Sequence, residues 1–465
     1  MTELDGAAVP DGAVAEAPAR VVPADAGGRS FAGVWALAWP AIVGNLLNST
    51  VGLVDIKIVG ALGAPAVAAV TTGNRLFFVM QAVFIAVTAG TTALVARAWG
   101  AGDREEGALV TRASVWLCAA LALLVSAPTF LFADPIARVF RLEPETVALA
   151  AVFIRGLSVF HGAFAIGFVL SVALRAAGDT RTPLYVGAFA NVLNIVLLYG
   201  LVGGRLGLPA LGVAGAAIAN GLAFTASMAV LLALWLRGRL VVAPGRGPAL
   251  TRARLGRLIR IGYPAGLEQA VWQGGFVAFL WIVALYGTKP YAAYGIGVNL
   301  LSFSFVVGFG FSIAAATLVG QHLGARDPDG AARRGWQAMG LAIAVMLVFG
   351  TAITAAARPL AEFLIDDSEV VRLTVAFIRV LGSVQVLMAI EFTLSGALRG
   401  AGDTRFPLFT AICGLLGMRV ALAALFAWLG FAVEWVFAAL IADYVVKASL
   451  LVWRFRSRRW VKAIA

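Results

Sequence analysis

Asp55 is the acidic residue whose setting in the sequence most strongly suggests chemistry. It interrupts a long apolar stretch and is the only acidic residue between Asp25 and Asp103. A charged side chain in the middle of a membrane helix costs about 2.5–3.5 kcal/mol on insertion scales, so such residues are functional candidates by default. Because burial disfavours an ionised carboxylate, Asp55 could exchange a proton near neutral pH. The structural alternative is an ion pair with Lys57 or Arg75.

Two further carboxylates, Glu268 and Glu391, interrupt apolar stretches in the second half of the chain. Either could bind a cation or attract a cationic substrate, and a buried carboxylate satisfied by its neighbours is the alternative. Trp272, Gln273 and Phe276 follow Glu268 within about two helical turns. Aromatic rings at these positions could stack on planar cations, whereas lipid contact is the usual role of such rings.

Other residues of chemical interest have simpler interpretations. Asp443 and Lys447 are four residues apart and are expected to form a structural ion pair on one helix. Cys118 and Cys413 stand alone in apolar runs and are expected to pack as small hydrophobic residues. The sequence contains neither a metal-binding Cys/His spacing nor an HExxH or GxSxG motif. We therefore expect no metal, no organic cofactor and no enzymatic activity.

The elements that position these residues must be membrane helices. Of the 465 residues 61% are hydrophobic and 13% charged, and the mean hydropathy is +0.92, whereas soluble domains carry about 25% charged residues. A hydrocarbon core about 30 Å thick needs about 20 helical residues. The sequence predicts an all-α integral membrane protein with twelve such spans, near 32–60, 66–98, 112–132, 147–174, 183–203, 211–236, 262–286, 290–321, 336–357, 371–398, 407–429 and 434–453.

The basic residues orient these spans. With the N-terminus inside the cell, 24 Lys and Arg residues fall on the cytoplasmic side and 6 on the opposite side. The net charge of +12 therefore reflects topology, and we expect no nucleic-acid partner. Residues 1–29 are too acidic for a signal peptide and are expected to form a disordered cytoplasmic tail. The predicted location is the cell membrane, as a multi-pass protein with both termini in the cytoplasm.

The chain is a tandem repeat with an offset of 224 residues. LRAAGDTRTPL at 174–184 matches LRGAGDTRFPL at 398–408, and Pro40 matches Pro264. Because each repeat holds six spans, the two six-helix bundles must be related by a pseudo-two-fold axis along the membrane normal. The predicted boundaries are an N-terminal lobe at 30–237, a basic cytoplasmic linker at 238–259, a C-terminal lobe at 260–457 and a basic cytoplasmic tail at 458–465. A cleft between two such lobes favours a carrier that works by alternating access.

These motifs resemble those of the multidrug and toxic compound extrusion (MATE) family. The resemblance is carried by VDxxxVGxLG at Val54–Gly63, the GAGD turn after the second span, and the duplicated LRxAGDTRxP, and it covers residues from about 31 to 460. The overall sequence pattern most resembles that of the DinF-like branch. The resemblance implies a cation-coupled antiporter in the inner membrane that exports small amphipathic, often cationic, compounds. We expect a monomer surrounded by membrane lipid.

The same resemblance implies a cation-coupling cluster in the N-terminal lobe. In DinF-like proteins an aspartate at the position of Asp55 is the protonation site, and its partners lie on the fifth and sixth helices. Asn194 matches the fifth-helix asparagine, and Asn220 is placed at the sixth-helix position. Leu198 replaces a second carboxylate of the family pattern. Because sodium needs several oxygen ligands and a proton needs only one carboxylate, we expect proton coupling.

Three alternatives remain open from the sequence. Members of the sodium-coupled branch have carboxylates on the seventh and tenth helices, where Glu268 and Glu391 lie about one turn from the family positions. A flippase for lipid-linked precursors of the same architecture would need basic residues along its cleft, and only six Lys or Arg residues lie in spans. An intramembrane enzyme is disfavoured because its catalytic motifs are missing from the sequence.

Overall fold

The computed structural model describes residues 31–462, and these are almost entirely helical. Ten helices are long and apolar enough to cross a membrane, and two further crossings each consist of two helices bent by 52°. The first eight helices, termed the N-lobe, are α1 (Ala32–Gly60), α2 (Ala64–Gly100), α3 (Arg104–Leu131), α4 (Ala133–Arg138), α5 (Pro144–Ser158), α6 (His161–Ala176), α7 (Arg181–Gly203) and α8 (Gly212–Leu236).

The second eight helices, termed the C-lobe, repeat this order. They are α9 (Arg252–Ala284), α10 (Thr288–Gly324), α11 (Pro328–Ala355), α12 (Ala357–Leu364), α13 (Ser368–Ser383), α14 (Gln385–Gly400), α15 (Arg405–Trp428) and α16 (Val433–Arg456), followed by a 3₁₀ turn at Arg459–Lys462. The predicted fold class is confirmed: twelve crossings form two six-span bundles. The expected tail at 1–29 and the last three residues of the tail at 458–465 lie outside the described residues.

Matching turns in the two lobes have matching local causes. Asp103 caps α3 by accepting a hydrogen bond from Glu106 N at 2.9 Å, and Asp327 caps α11 by accepting one from Gly330 N at 2.7 Å. In the duplicated LRxAGDTRxP loops, Gly178 and Gly402 have φ of +97° and +85°, a region that favours glycine. The repeated sequence therefore builds the same helix-ending turns twice.

The helix α1 contributes to the cores of both lobes. Val34, Leu37 and Ala38, near its start, are buried in the hydrophobic core of the C-lobe. Val59, near its end, is buried in a core cluster of the N-lobe. Pro40 lies inside the helix close to the passage from one lobe to the other. A proline inside a helix removes one backbone hydrogen bond and allows a bend at this point.

The helix α9 has the reciprocal arrangement. Leu258 and Ile261 belong to a core cluster of the N-lobe, whereas Phe279 and Val283 belong to the core of the C-lobe. Pro264, the repeat equivalent of Pro40, lies between the two sets. Each lobe therefore takes part of its core from the first helix of the other lobe.

The start of α9 is also tied to the N-lobe by charge. Arg254 is buried, and its Nη2 lies 2.6 Å from Oε2 of Glu106 on α3, while Arg257 reaches Oε1 of the same carboxylate at 2.7 Å. Because α9 begins at Arg252, the later part of the expected linker at 238–259 is helical and packs on the N-lobe. This part of the linker is therefore held against the N-lobe.

The lobes are in close contact where α2 and α10 end, which we term the closed end. A Cβ atom on Gly100 would collide with the backbone carbonyl of Gln321, and one on Gly324 would collide with the carbonyl of Arg97. Nε2 of Gln321 also donates to Ala176 O at 3.0 Å. Gly100 and Gly324 are equivalent in the repeat, so the helix ends approach each other symmetrically.

Candidate functional site

Asp55 and Asn194 are neighbours in the N-lobe. Nδ2 of Asn194, on α7, donates to Oδ1 of Asp55, on α1, across 3.4 Å. Asn194 is buried, and Asp55 is half-buried. The alternative ion pairs of Asp55 with Lys57 or Arg75 are not formed in the described part of the chain, where both basic side chains are exposed. The carboxylate is therefore held by an amide and has no basic partner within ion-pair distance among these residues.

Asn220 and Leu198 complete the surroundings of Asp55. Asn220, on α8, donates to Ala216 O at 3.1 Å and is close enough to interact with the Asp55 carboxylate. Leu198, one turn after Asn194, is fully buried in the same core cluster as Val59. The structure thus brings together the three residues expected to form the coupling cluster. Apolar packing occupies the place of the second carboxylate.

A hydrogen bond between two amides lies two turns earlier on α1. Nδ2 of Asn191 donates to Oδ1 of Asn48 at 2.9 Å, and Asn48 is exposed. Asn191 precedes Asn194 by about one turn of α7, so both asparagines of α7 bond to the same face of α1. The junction of α1 and α7 is therefore a polar strip that begins at an exposed residue and includes Asp55.

The C-lobe holds four charged side chains in one buried cluster, termed the C-lobe ion cluster. Nζ of Lys447 lies 3.2 Å from Oε1 of Glu391 and 3.1 Å from Oδ1 of Asp443, and Nη2 of Arg419 lies 2.5 Å from Oδ2 of Asp443. All four residues are buried. Asp443 and Lys447 form the expected ion pair, and Glu391 is joined to it. The two acidic and two basic groups have no net charge when all are ionised.

A π-helical segment brings α15 against this cluster. The turns of α15 widen over Ile412–Val420, where a Cβ on Gly414 would overlap the side chains of Asp443 and Lys447. The missing side chain at Gly414 lets α16 approach, and Arg419 reaches Asp443 from the same segment. π-Helical segments occur often at functional sites.

Glu268 and Glu391, expected as one possible cation or substrate site, belong to different ion pairs. Oε1 of Glu268, on α9, lies 2.9 Å from Nη2 of Arg399. Arg399 follows Glu391 on α14 by eight residues, about 12 Å of helix rise. Glu268 therefore pairs near the end of α14, two turns away from the C-lobe ion cluster. Each carboxylate already has a cation.

The aromatic residues predicted to line the cleft lie against the C-lobe ion cluster. Nζ of Lys447 is 4.5 Å from the ring centroid of Trp272, and the guanidinium of Arg419 is 5.7 Å from that of Phe276. Both rings are half-buried, as is Gln273 between them along the sequence. The two rings pack beside each other at 5.6 Å and contact the charged groups with their faces.

Sequence reasoning did not assign a role to Arg419. It was visible only as one of six basic residues within spans, and nothing in its spacing indicated a partner. The available signal was charge balance, because Glu391, Arg419, Asp443 and Lys447 lie in three successive spans and carry two charges of each sign. Buried charges in proteins are usually paired, so two acidic and two basic residues in neighbouring spans predict a neutral network.

Comparison with known proteins gives one consistent result. The MatE family profile matches the chain twice, over residues 40–200 and 264–425, so both lobes match separately. A probable multidrug resistance protein NorM from Thermotoga maritima is 31% identical over 434 residues, which cover 92% of each chain. The multidrug resistance protein NorM from Burkholderia vietnamiensis is 30% identical and covers 90% of this chain and 92% of its own.

Solved structures show the same fold. A structure described as the outward-facing conformation of a multidrug resistance MATE family transporter has a TM-score of 0.85 at 22% identity, over 93% of this chain and 96% of that one. A MATE transporter crystallised with MaL6 has a TM-score of 0.86 at 21% identity, over 92% and 96%. With both lobes matching the profile, the chain belongs to the MatE family, the multidrug and toxic compound extrusion transporters.

Proposed function

We propose that this transporter exports small amphipathic, often cationic, compounds and that protons entering through Asp55 drive it. The curated relatives at about 30% identity carry names that describe multidrug resistance. The observation that carries the coupling proposal is a contrast among carboxylates. Glu268, Glu391 and Asp443 all have basic partners, whereas Asp55 has only amide neighbours among the described residues. A carboxylate that is free to change its charge is what proton coupling requires.

The amide of Asn194 suits both protonation states of Asp55. Its NH₂ group donates to the ionised carboxylate, as observed, and its Oδ1 atom is buried without a hydrogen-bond partner. When Asp55 takes up a proton, that oxygen can accept the new O–H donor after a small rotation of the side chain. Protonation then changes the contact between α1 and α7 from a charge-assisted bond to a neutral one.

The lobes support transport by alternating access. They are in close contact at the closed end, where Gly100 meets Gln321 and Gly324 meets Arg97. We place this end in the cytoplasm because the basic residues concentrate there. The structure then corresponds to a state closed toward the cytoplasm, and Pro40 and Pro264 provide the bends about which the lobes exchange states. Asp55 lies on α1, the helix that contains Pro40, so proton binding at Asp55 acts on one of the two proline-containing helices.

The observations give less support to two alternatives. A C-lobe sodium site at Glu268 and Glu391 would need these carboxylates to meet, and they belong to separate ion pairs. A flippase for anionic head groups needs free cations along the cleft, and Arg419 and Lys447 are engaged in the C-lobe ion cluster. We therefore propose drug export in preference to lipid transport.

The test is transport by the purified protein in liposomes. Efflux of a fluorescent lipophilic cation is followed under an imposed proton gradient with sodium absent, and under an imposed sodium gradient with the proton gradient collapsed. We expect transport in the first condition and none in the second. Transport with sodium alone would overturn proton coupling. Lack of export under either gradient, together with movement of a fluorescent phospholipid between leaflets, would favour the flippase.

A further inference from the structure

We propose that the ammonium group of Lys447 fills a binding site for a monovalent metal ion between Glu391 and Asp443. Removing this ammonium group should open the site to sodium. The inference rests on the proposed function and deepens it. If Lys447 fills the cation site of the C-lobe, no coupling ion binds there, and coupling takes place in the N-lobe. The physical basis of the inference is confined to the C-lobe, and the binding test does not depend on Asp55.

The position of the ammonium group is that of a coordinated ion. Nζ of Lys447 lies at similar distances, 3.2 Å and 3.1 Å, from carboxylate oxygens on two different helices, α14 and α16. The whole side chain of Lys447 is buried, with 0% exposed surface. The faces of Trp272 and Tyr444 lie 4.5 Å and 5.2 Å from the same nitrogen. Such a cage of carboxylates and aromatic faces suits a single positive charge.

The charges of the cluster show what removing Lys447 would leave. Arg419 pairs with Oδ2 of Asp443, the oxygen that Lys447 does not contact, and forms no ion pair with Glu391 among the described residues. Oε2 of Glu391 is buried and has no hydrogen-bond partner, and Lys447 is the one ion-pair partner of this carboxylate among the described residues. Without the ammonium group, two carboxylates would face one guanidinium in a space sealed from water. An uncompensated buried charge is strongly unfavourable, so the site would recruit a cation.

The space available to such an ion is the volume that the ammonium group vacates, and α15 packs directly against it at Gly414. Gly414 has no side chain where it faces Asp443 and Lys447, and a Cβ there would overlap both. A methionine at position 447 keeps the length of the lysine stem but carries no charge. Sodium prefers hard oxygen ligands, and Glu391 and Asp443 present carboxylate oxygens on either side of the vacated position.

The experiment measures sodium binding by the full-length protein. Thermal unfolding midpoints of the wild type and of Lys447→Met are recorded in detergent, with sodium chloride replacing choline chloride at constant ionic strength. We expect the midpoint of Lys447→Met to rise by about 2–4 °C with sodium and that of the wild type to stay unchanged. Bound ²²Na⁺ should appear in Lys447→Met and not in the wild type.

Matched variants assign the ion to this place. Adding Glu391→Gln to Lys447→Met should abolish the sodium response, and it also restores charge balance because Arg419 and Asp443 remain paired. Lys57→Met, which removes an exposed lysine from a span of the other lobe, should show no response. The response should persist when Asp55→Asn is added to Lys447→Met, so failure of the proposed coupling role would not affect this result.

Two results would overturn the inference. One is a folded Lys447→Met protein that neither binds ²²Na⁺ nor gains thermal stability with sodium, which would mean that a proton or a rearrangement replaces the ammonium. The other is sodium stabilisation of the wild type that Glu391→Gln removes, because the site would then be open with Lys447 in place. This second measurement can overturn the inference even if Lys447→Met does not fold.

Discussion

Oδ1 of Asp55 accepts its hydrogen bond from Asn194 across 3.4 Å, and this contact links α1 to α7 at a carboxylate that lacks a basic partner among the described residues. The length of the bond indicates a weak interaction. A weak bond to a half-buried carboxylate is easily exchanged for another when the charge changes. The relationship therefore connects a protonation event to the packing of α1, the helix that both lobes share.

Asp55→Asn should abolish efflux driven by a proton gradient while leaving the protein folded. Asparagine has nearly the shape of the protonated carboxyl group, so the variant is fixed in one of the two states. We expect transport to fall to that of protein-free liposomes and the unfolding free energy to change by less than about 1 kcal/mol. Lys57→Gln, two residues away on an exposed face, is the control and should transport normally. Wild-type efflux rates in Asp55→Asn would exclude it as the coupling residue.

Asn194→Leu should shift the pH profile of efflux upward. The amide donates to the ionised carboxylate and favours that form, so its loss lets Asp55 keep its proton to a higher pH. A normal hydrogen bond to a charged group contributes roughly 1.5 kcal/mol, about one pH unit, and because this bond is long we expect a smaller shift. Asn220→Leu should act in the same direction and less strongly, since the Asn220 amide also donates to Ala216 O. The measurement is initial efflux rate against pH.

The control for this pH series is Asn191→Leu, which removes the neighbouring amide on α7. Asn191 bonds to Asn48 and not to the carboxylate, so its loss should leave the pH profile in place. Equal profiles in all three variants, with transport intact, would mean that the amides only join helices and do not tune Asp55.

Glu268→Gln should reduce stability and leave proton-driven efflux intact. The substitution deprives Arg399 of its carboxylate partner at 2.9 Å. Because Arg399 is about one-quarter exposed, we expect a loss of about 1–3 kcal/mol of unfolding free energy, measured by thermal or denaturant unfolding. The double variant Glu268→Gln/Arg399→Gln should recover part of that loss. Sodium-driven transport that Glu268→Gln abolishes and Asp55→Asn does not would instead move coupling to the C-lobe.

Gly324→Ala should disfavour the state in which the closed end is sealed. The added Cβ would collide with the carbonyl of Arg97, a backbone atom of α2 that cannot move aside alone. The lobes must then separate at this end, which shifts the population toward the opposite state. Gly340→Ala, where nothing lies within 4 Å of the new Cβ, is the matched control. Distances between spin labels on α2 and α10 at the closed end should lengthen in Gly324→Ala only.

The twelve crossings were predictable because long apolar runs have one structural solution in lipid. The bends within two of them were not. The sequence predicted single spans near 147–174 and 371–398, whereas the structure breaks them before His161 and Gln385, which are equivalent in the repeat. Nothing in the apolar periodicity indicates a break where neither proline nor a run of polar residues occurs. Ser158 precedes the first break, and Gly382 and Ser383 precede the second, and Gly/Ser pairs are one known cause of sharp helix kinks.

The candidate site was predictable in the N-lobe and not in the C-lobe. Asp55 and Asn194 were brought together by family motifs, and the structure places them in contact. Glu268 and Glu391 were grouped by chemistry alone, and the partners that separate them, Arg399 and Lys447, depend on which helix faces which. Sequence spacing reports neighbours on one helix but not those between helices.

The sharing of α1 between lobes has a consequence for how the protein is made. Val34, Leu37 and Ala38 complete a core whose other buried members lie at positions 279–460, so α1 finds these neighbours only after the C-lobe has been synthesised. The initial segment of α1 must therefore remain without these contacts, in the membrane or at its surface, while the remaining helices insert. Contacts of such long sequence separation form slowly. Truncated chains that lack the C-lobe should therefore leave the start of α1 exposed to quality-control proteases, and supplying the C-lobe as a separate polypeptide should protect it.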